Sequence, residues 1–594
     1  MPVQLSEESC HGASTTLPHR RALRSLLLLA ALGLGGCLDG NNGSDLPQAA
    51  TTNEFAEAEE ADPAQVAIGE RLFLETRFAQ FYAANSGGDA NTNIVGDPVL
   101  ETTLSADGST LPGPFRGQSA NCRTCHLVDE QLDTPGGGMR TYADFARRSP
   151  LSDRGDLPTS VRNSPALVNA SLPRTDGPLF HFDGEFASMR DLVRTTLTGR
   201  MLGWLPGEAD DARAHVAHII RNDDGNGDLA QEFGGAYTKI LTATDADIPE
   251  ELRLPEEFRI DVKSASDAEI LEAVARLISA YVTQLEFARD DNGEFDLSPY
   301  DRFLAANGLP RQPNAGEPDE TYGRRLLGLL NALSNPTYIS DDGTDASFAF
   351  HQQPFQFGEA ELRGLKVFLS EPVSPALTDP ELQMGGIGNC IACHTPPVFT
   401  DFGLHNTGIA QNGYDAVHGA GDFMNLDIPD LATRAAAPDA YLPRTQDKPS
   451  RPEYFRSIPD PADERLVDLG VWNIFANPDF DNAEHQARLR GRLCAIDTGV
   501  VDPNCGLSDD QLLSLAIGAV KTPSLRDLGH SAPFMHDGSL NTLEAVVQNY
   551  RDNSALARAG KLRAGDPQMA RIAFSEQDLM DLVAFLESLN EDYE

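Results

Sequence analysis

Two Cys-X-X-Cys-His pentads, Cys122-Arg-Thr-Cys125-His126 and Cys390-Ile-Ala-Cys393-His394, carry the most specific chemistry in this 594-residue chain. The pattern is that of a c-type haem attachment site. Two thiols add across the haem vinyl groups, and the adjacent imidazole is held where it can bind iron from the proximal side. A zinc ribbon would need further Cys or His partners at ligand spacing around each pair, and the sequence supplies none. A thioredoxin-like redox pair is the other reading of Cys-X-X-Cys, but two complete pentads in one exported chain favour two covalent haem c groups.

Each pentad follows a short amphipathic segment, and the two segments resemble each other. Ala67-Ile68-Gly69-Glu70-Arg71-Leu72-Phe73-Leu74 precedes the first, and Leu362-Arg363-Gly364-Leu365-Lys366-Val367-Phe368-Leu369 precedes the second. Apolar residues at helical spacing make each a helix. Further helical patterns cover 188–200, 209–221, 267–288, 508–520, 541–552 and 575–590, while strand-like alternation is scarce. The expected fold is mainly α, with two tandem cytochrome-c-like domains at 63–345 and 346–594 and long inserted loops near 81–118, 306–350 and 411–495. The chain is long enough for two separate cores.

The N-terminus predicts export. His19-Arg20-Arg21 leads into an apolar run from Leu26 to Leu34 that is too short to span a bilayer, and Leu34-Gly35-Gly36-Cys37 follows. This describes a secretory signal over 1–37 with a lipobox-like end. The expectation is a periplasmic protein lipidated at Cys37, with the polar, acidic stretch 38–62 as a flexible tether. Membrane contact then runs only through the lipid. Of the eight cysteines, four are expected to hold haem, Cys10 to leave with the signal and Cys37 to be acylated, the alternative being ordinary cleavage nearby that leaves Cys37 as a free thiol. Cys494 and Cys505 remain, and in an oxidising compartment they are expected to close a local disulfide.

A formal charge of −44 argues against binding nucleic acid or anionic membrane by charge. It would steer a basic small electron carrier, and it also serves solubility. Asn222-Asp223-Asp224-Gly225-Asn226-Gly227-Asp228 imitates the start of an EF-hand loop, but its twelfth position is Phe233 rather than Glu, so it reads as a turn between helices.

Beyond the pentads, several segments resemble the bacterial di-haem cytochrome c peroxidase and MauG family. They are Arg162-Asn163-Ser164-Pro165, Phe180-His181-Phe182-Asp183-Gly184, Pro299-Tyr300-Asp301-Arg302, Lys521-Thr522-Pro523-Ser524-Leu525-Arg526-Asp527 and Ala532-Pro533-Phe534-Met535-His536-Asp537-Gly538. The resemblance runs in order from about 63 to 590. It implies His126 as proximal ligand of a reactive haem and His394 as proximal ligand of an electron-transfer haem. Fourteen residues beyond His536, where the peroxidases place a Met ligand to the second iron, stands Tyr550, as in MauG-type proteins; Met535 is the alternative donor. The resemblance also implies a calcium ion held by the Asn163 side chain and the carbonyls of Ser531 and Pro533.

The reactive side departs from the peroxidase pattern. The loop around Ser152-Asp153-Arg154-Gly155 lacks the His that caps the first iron in some relatives, so an open distal position is expected. Phe182 stands for the family Trp. The distal Glu position falls on Leu202 or Met201 and the family Gln on Leu192, which predicts an apolar pocket. His181, Arg200, Glu185 and Glu208 are the nearby polar substitutes, with His181 the first choice for moving a proton during O–O cleavage; Trp204 lies close in sequence. Three functions follow. One is a peroxidase- or MauG-type oxidoreductase using hydrogen peroxide or O₂, with a small electron-donor protein (a c-type cytochrome or cupredoxin) or a protein substrate as partner. The second is a non-catalytic electron-transfer cytochrome. The third is an oxygenase on an apolar substrate, like the di-haem rubber oxygenases.

Overall fold

The computed structural model describes residues 62–591, apart from 105–109, 114, 127–148, 152–158, 175, 341–353, 375 and 529–530. The signal, Cys37, the tether and the Ser152–Gly155 loop lie outside the described residues.

Among the described residues the helices of seven residues or more are α1 (Ala64–Phe73), α2 (Met189–Leu197), α3 (Ala209–Asn222), α4 (Asp267–Thr283), α5 (Pro299–Ala306), α6 (Asp319–Ala332), α7 (Glu359–Leu369), α8 (Ile409–His418), α9 (Ala483–Thr498), α10 (Asp509–Leu515), α11 (Leu543–Arg558) and α12 (Glu576–Glu587). Among the described residues strands form two short antiparallel pairs: β1 (Thr102–Leu104) with β2 (Thr110–Pro112), and β3 (Leu404–His405) with β4 (Val520–Lys521). No described helix is long and apolar enough to cross a membrane.

The repeated segment seen in sequence is a repeated packing device. In the first half α1 crosses α4, and in the second α7 crosses α12. Gly69 and Gly364, at the same place in the two segments, mark the crossings. A Cβ on Gly69 would lie 2.2 Å from the Leu277 carbonyl oxygen, and one on Gly364 would lie 1.8 Å from that of Asp581. Only glycine lets the backbones approach so closely. Both C-terminal helices start on reciprocal caps, Ser266 with Glu269 and Ser575 with Asp578, which satisfy N–H groups that the helix itself leaves bare. Buried aliphatic residues such as Leu277, Ile278, Leu582 and Leu586 face the crossings, each stabilising by about 1.5–3 kcal/mol.

The first core gathers residues from Ala64 to Phe295, and the second runs from Tyr300 to Leu589. Helices α5 and α6, which precede the boundary expected at 345, pack into this second core. A buried ion pair explains why. Arg526 donates to both carboxylate oxygens of Asp301 at 2.9 and 3.0 Å and to Glu591 at 2.7 Å, joining two of the resemblance segments. The stretch expected as an insertion at 411–495 has packing of its own. With flanking residues it forms a third core around Trp472, Phe455, Leu489 and Leu493, and Cys494 is disulfide-bonded to Cys505 with the Cα atoms 6.2 Å apart. The EF-hand-like stretch is a structural turn. Asp223 is buried and paired with Arg71 at 3.0 Å and Arg77 at 2.9 Å.

Candidate haem sites and the strap between them

Each pentad folds as a single 3-10 turn, Cys122–Thr124 and Cys390–Ala392, because two thiols and the following imidazole must leave the backbone within one turn. The Asn121 side chain accepts from the Thr124 N–H at 3.2 Å and donates to the Leu74 carbonyl at 2.9 Å, tying the first turn to the end of α1. The four pentad thiols are free, not paired as disulfides. Burial pushes Cys122 and Cys390 up to about 12 and Cys125 and Cys393 up to about 11.

Both proximal imidazoles are oriented alike. His126 Nδ1 donates to the Pro165 carbonyl at 3.0 Å, and His394 Nδ1 donates to that of Phe399 at 3.0 Å. With Nδ1 engaged, Nε2 is the atom left for a metal, and the backbone bond sets the ring's orientation. Burial pushes both imidazoles down to about 4, against those opposing bonds, and so holds them in the neutral, ligating form. At the second pentad these groups open onto an apolar cavity with an empty volume of about 1490 Å³, open solvent included. Cys390, Cys393, His394, Phe368, Leu543, Val547, Tyr550 and Met535 line it. The residues present therefore fit a covalently attached haem. Tyr550 comes from α11 and Met535 from the loop before it, so both expected distal donors share the cavity with His394. Burial, with the neighbouring thiols, holds the Tyr550 phenol above its usual range.

The same cavity carries the residues of the expected calcium site. Asn163, Ser531 and Pro533 all line it, and the Asn163 amide lies 2.6 Å from the Pro533 carbonyl oxygen. An amide and two backbone carbonyls are the oxygen donors calcium prefers, once the amide presents Oδ1.

Around the first pentad the expected distal residues separate. His181 lies near enough to lower the His126 imidazole further. Its Nδ1 donates to Glu185 Oε2 at 3.1 Å, and Arg456 binds the same oxygen at 2.6 Å. Against the opposing effect of burial, Arg456 and His181 hold the Glu185 carboxyl well below its usual range. Arg200 faces Glu453 of the third core at 4.0 Å. Trp204 is a core residue, its indole N–H directed at the Phe78 carbonyl at 3.4 Å. Leu202 and Leu192 pack in or against that core, Met201 is exposed, and Glu208 accepts the Leu205 N–H at 2.7 Å.

A strap not expected from sequence joins the two pentads. Pro165 holds His126; two residues earlier, Asn163 N–H donates to the His536 carbonyl at 2.7 Å. Next to it Arg162 binds Asp468 at 2.6 and 2.8 Å and Asp183 at 2.5 Å. His536 and Phe182 line the second cavity with ring centroids 6.3 Å apart. His405, also lining that cavity, is clamped between Asp566 at 2.6 Å and Asp401 at 2.9 Å. Its only signal in sequence is a lone His eleven residues after His394.

Two thiol-and-imidazole turns in a mainly helical chain, one opening onto an apolar cavity, fit the attachment of two c-type haems. No family model matches the chain. A stretch of 72 residues is 46% identical to methylamine utilization protein MauG of Methylorubrum extorquens, covering 12% of this chain and 19% of that protein. Another of 74 residues is 38% identical to cytochrome-c peroxidase IdrP1 of Denitromonas iodatirespirans, covering 12% and 18%. A longer match of 205 residues is 24% identical to cytochrome-c peroxidase IdrP2 of the same organism, covering 34% and 37%. The chain thus spans less than two fifths of the length of these relatives. Among solved structures, a MauG-like protein associated with microbial copper homeostasis aligns over 94% of this chain and 96% of its own, at 16% identity and a TM-score of 0.39. The diheme peroxidase BthA from Burkholderia thailandensis aligns over 90% and 87%, also at 16% and 0.39. Over these partial stretches the chain is similar to di-haem cytochrome c peroxidases and MauG proteins.

Proposed function

We propose that the protein is a periplasmic di-haem oxidoreductase in which hydrogen peroxide or O₂ reacts at the His126 site and electrons pass through the His394 site. The observation that carries this is the matched pair of neutral imidazoles, each with Nδ1 on a backbone carbonyl and two free thiols one turn away. Haem, when bound, supplies the iron that takes up the oxidant and the electrons.

The chain's own residues supply orientation and protons. Pro165 and Phe399 aim the two Nε2 atoms. His181, fixed through Nδ1 by ionised Glu185, keeps Nε2 for taking a proton from one peroxide oxygen and giving it to the other. This is a role that no carboxylate at position 201 or 202 fills. Tyr550 is the proposed second ligand at the His394 site; a phenolate favours ferric iron and lowers the potential. Asn163, Ser531 and Pro533 would hold calcium beside the strap. The disulfide supports an oxidising compartment, and the N-terminal pattern supports a lipid anchor at Cys37. The proposed partner is a small electron-donor protein or a protein substrate.

The test is EPR of the ferric holoprotein before and after stoichiometric hydrogen peroxide. The expected result is a high-spin signal beside a low-spin one, with only the first consumed. Two low-spin signals indifferent to peroxide would overturn the proposal and make the protein an electron carrier.

A further inference from the structure

In a chain of formal charge −44, one interior region gathers three cations around a single committed carboxylate. Arg492 on α9 is fully engaged. Its Nε and Nη2 bind the two oxygens of Asp176, each at 2.7 Å, and its Nη1 binds the Phe402 carbonyl. Arg174 is not. Its Nη2 donates to the Ala170 carbonyl at 2.7 Å and its guanidinium stacks 3.6 Å from the Phe402 ring centroid, but Nε and Nη1 are buried without a hydrogen-bond partner. Lys521 on β4 donates to the Leu179 carbonyl at 3.1 Å and lines the cavity that holds Cys390, Cys393 and His394. Asp183, the carboxylate that favours the Lys521 charge, is already paired with Arg162 and Arg456.

A buried donor left without an acceptor costs about 1–3 kcal/mol, more when charged. A guanidinium N–H and an ammonium N–H can each take one oxygen of a carboxylate. Haem brings two propionate carboxylates with it. We propose that Lys521, which lines the cavity, backed by the positive charge of Arg174, receives a propionate of the haem attached at Cys390 and Cys393. The proposal rests on the haem reading of that cavity. Burial, then Arg174 and Arg492, press the Lys521 ammonium down to about 7, and burial with Arg492 presses Arg174 down to about 10. Cations crowded in this way are relieved by an anion between them.

The experiment uses holoprotein from a host that attaches haem c, as wild type, Lys521→Gln, Lys521→Arg and Arg174→Gln. Haem per chain is counted first. Fewer than two in the wild type would refute the di-haem reading, whereas two in each variant shows folding and leaves the propionate proposal to be decided. Resonance Raman then reads the propionate bending modes, and potentiometry reads the second haem. Loss of the Lys521 or Arg174 partner is expected to move a propionate mode to lower frequency and to lower the midpoint potential, with Lys521→Arg restoring both. Unchanged propionate modes in both glutamine variants would overturn the proposal. So would a potential that responds to added acetate or chloride in wild type but not in Lys521→Gln while the modes stay fixed, since the site would then take a solution anion.

Discussion

Replacing Asp468 with Asn tests whether the strap between the pentads depends on charge. The wild-type carboxylate is nearly buried and receives two bonds from Arg162 at 2.6 and 2.8 Å, with His536 at 4.0 Å. Against the opposing effect of burial, Arg162 lowers it from 3.8 to about 2. At about 1.4 kcal/mol for each tenfold change in proton affinity, that drop is worth about 2 kcal/mol. The sign follows from the lowered value. The contribution is present above pH 3.8, the unfolded value, and is lost as the pH falls toward 2. Removing one partner of a buried pair costs about 3–5 kcal/mol when the other charge is stranded. Arg162 keeps Asp183, so D468N should cost about 2–3 kcal/mol. Chemical denaturation of the holoprotein at pH 7 and at a series of acid values, read by far-UV circular dichroism and the Soret band, measures both effects. D468N should be less stable at neutral pH and should lose less on acidification than wild type. Equal stability and equal acid dependence would refute the electrostatic account of the strap.

Gly364→Ala should destabilise the second half by about 1–3 kcal/mol through overpacking, because the new Cβ meets the Asp581 backbone and the Phe585 Cβ at 2.8 Å; a denaturation midpoint unchanged from wild type would show that α7 and α12 can separate freely. Cys494→Ser should cost about 2–3 kcal/mol, the value for closing a loop of this size, and reduction of the wild type should give the same loss in thermal melts. Tyr550→Met should raise the midpoint potential of the second haem and shift its low-spin EPR signal; an unaltered signal would assign ligation to Met535 instead.

What could be read from sequence was what repeats or has fixed spacing. The pentads announced themselves by spacing, and α1 and α7 by apolar periodicity with a glycine at the same register. The resemblance segments marked positions, but their reasons are three-dimensional. Asp301 and Arg526 lie 225 residues apart and meet as a buried pair. Arg162 and Asp468 are 306 apart, and an ion pair over such a distance leaves no local pattern. The third core was missed for a related reason. Val467-Asp468-Leu469-Gly470-Val471-Trp472 does alternate apolar residues, but the segment forms isolated bridges and one 3-10 turn rather than a strand, so neither a helix period nor a sheet partner identifies it. Trp204, close in sequence to the expected distal segment, has its indole packed in the first core beside His215, the same core against which Cys122 lies.

The strap changes how the two sites are to be understood. Arg162, Asn163 and Pro165 are consecutive or nearly so, yet they bind a third-core carboxylate, the wall of the second cavity and the first proximal imidazole respectively. A backbone run of four residues transmits displacement with little slack, because each residue has only two soft dihedrals. Movement of Pro533 or His536 when the second cavity changes occupancy or charge would therefore pull on Asn163, and through Pro165 on the tilt of His126. The third core enters the same linkage, since Asp468 fixes Arg162 and Arg456 fixes Glu185, the partner of His181. Coupling between the sites then needs no aromatic relay at Phe182. The physical warrant is a run of hydrogen bonds and ion pairs that neither half can satisfy alone, and Asn163→Ala, which removes the side-chain bond to Pro533 while keeping the backbone bond to His536, should leave two haems bound while weakening the response of the first haem's spectrum to reduction of the second.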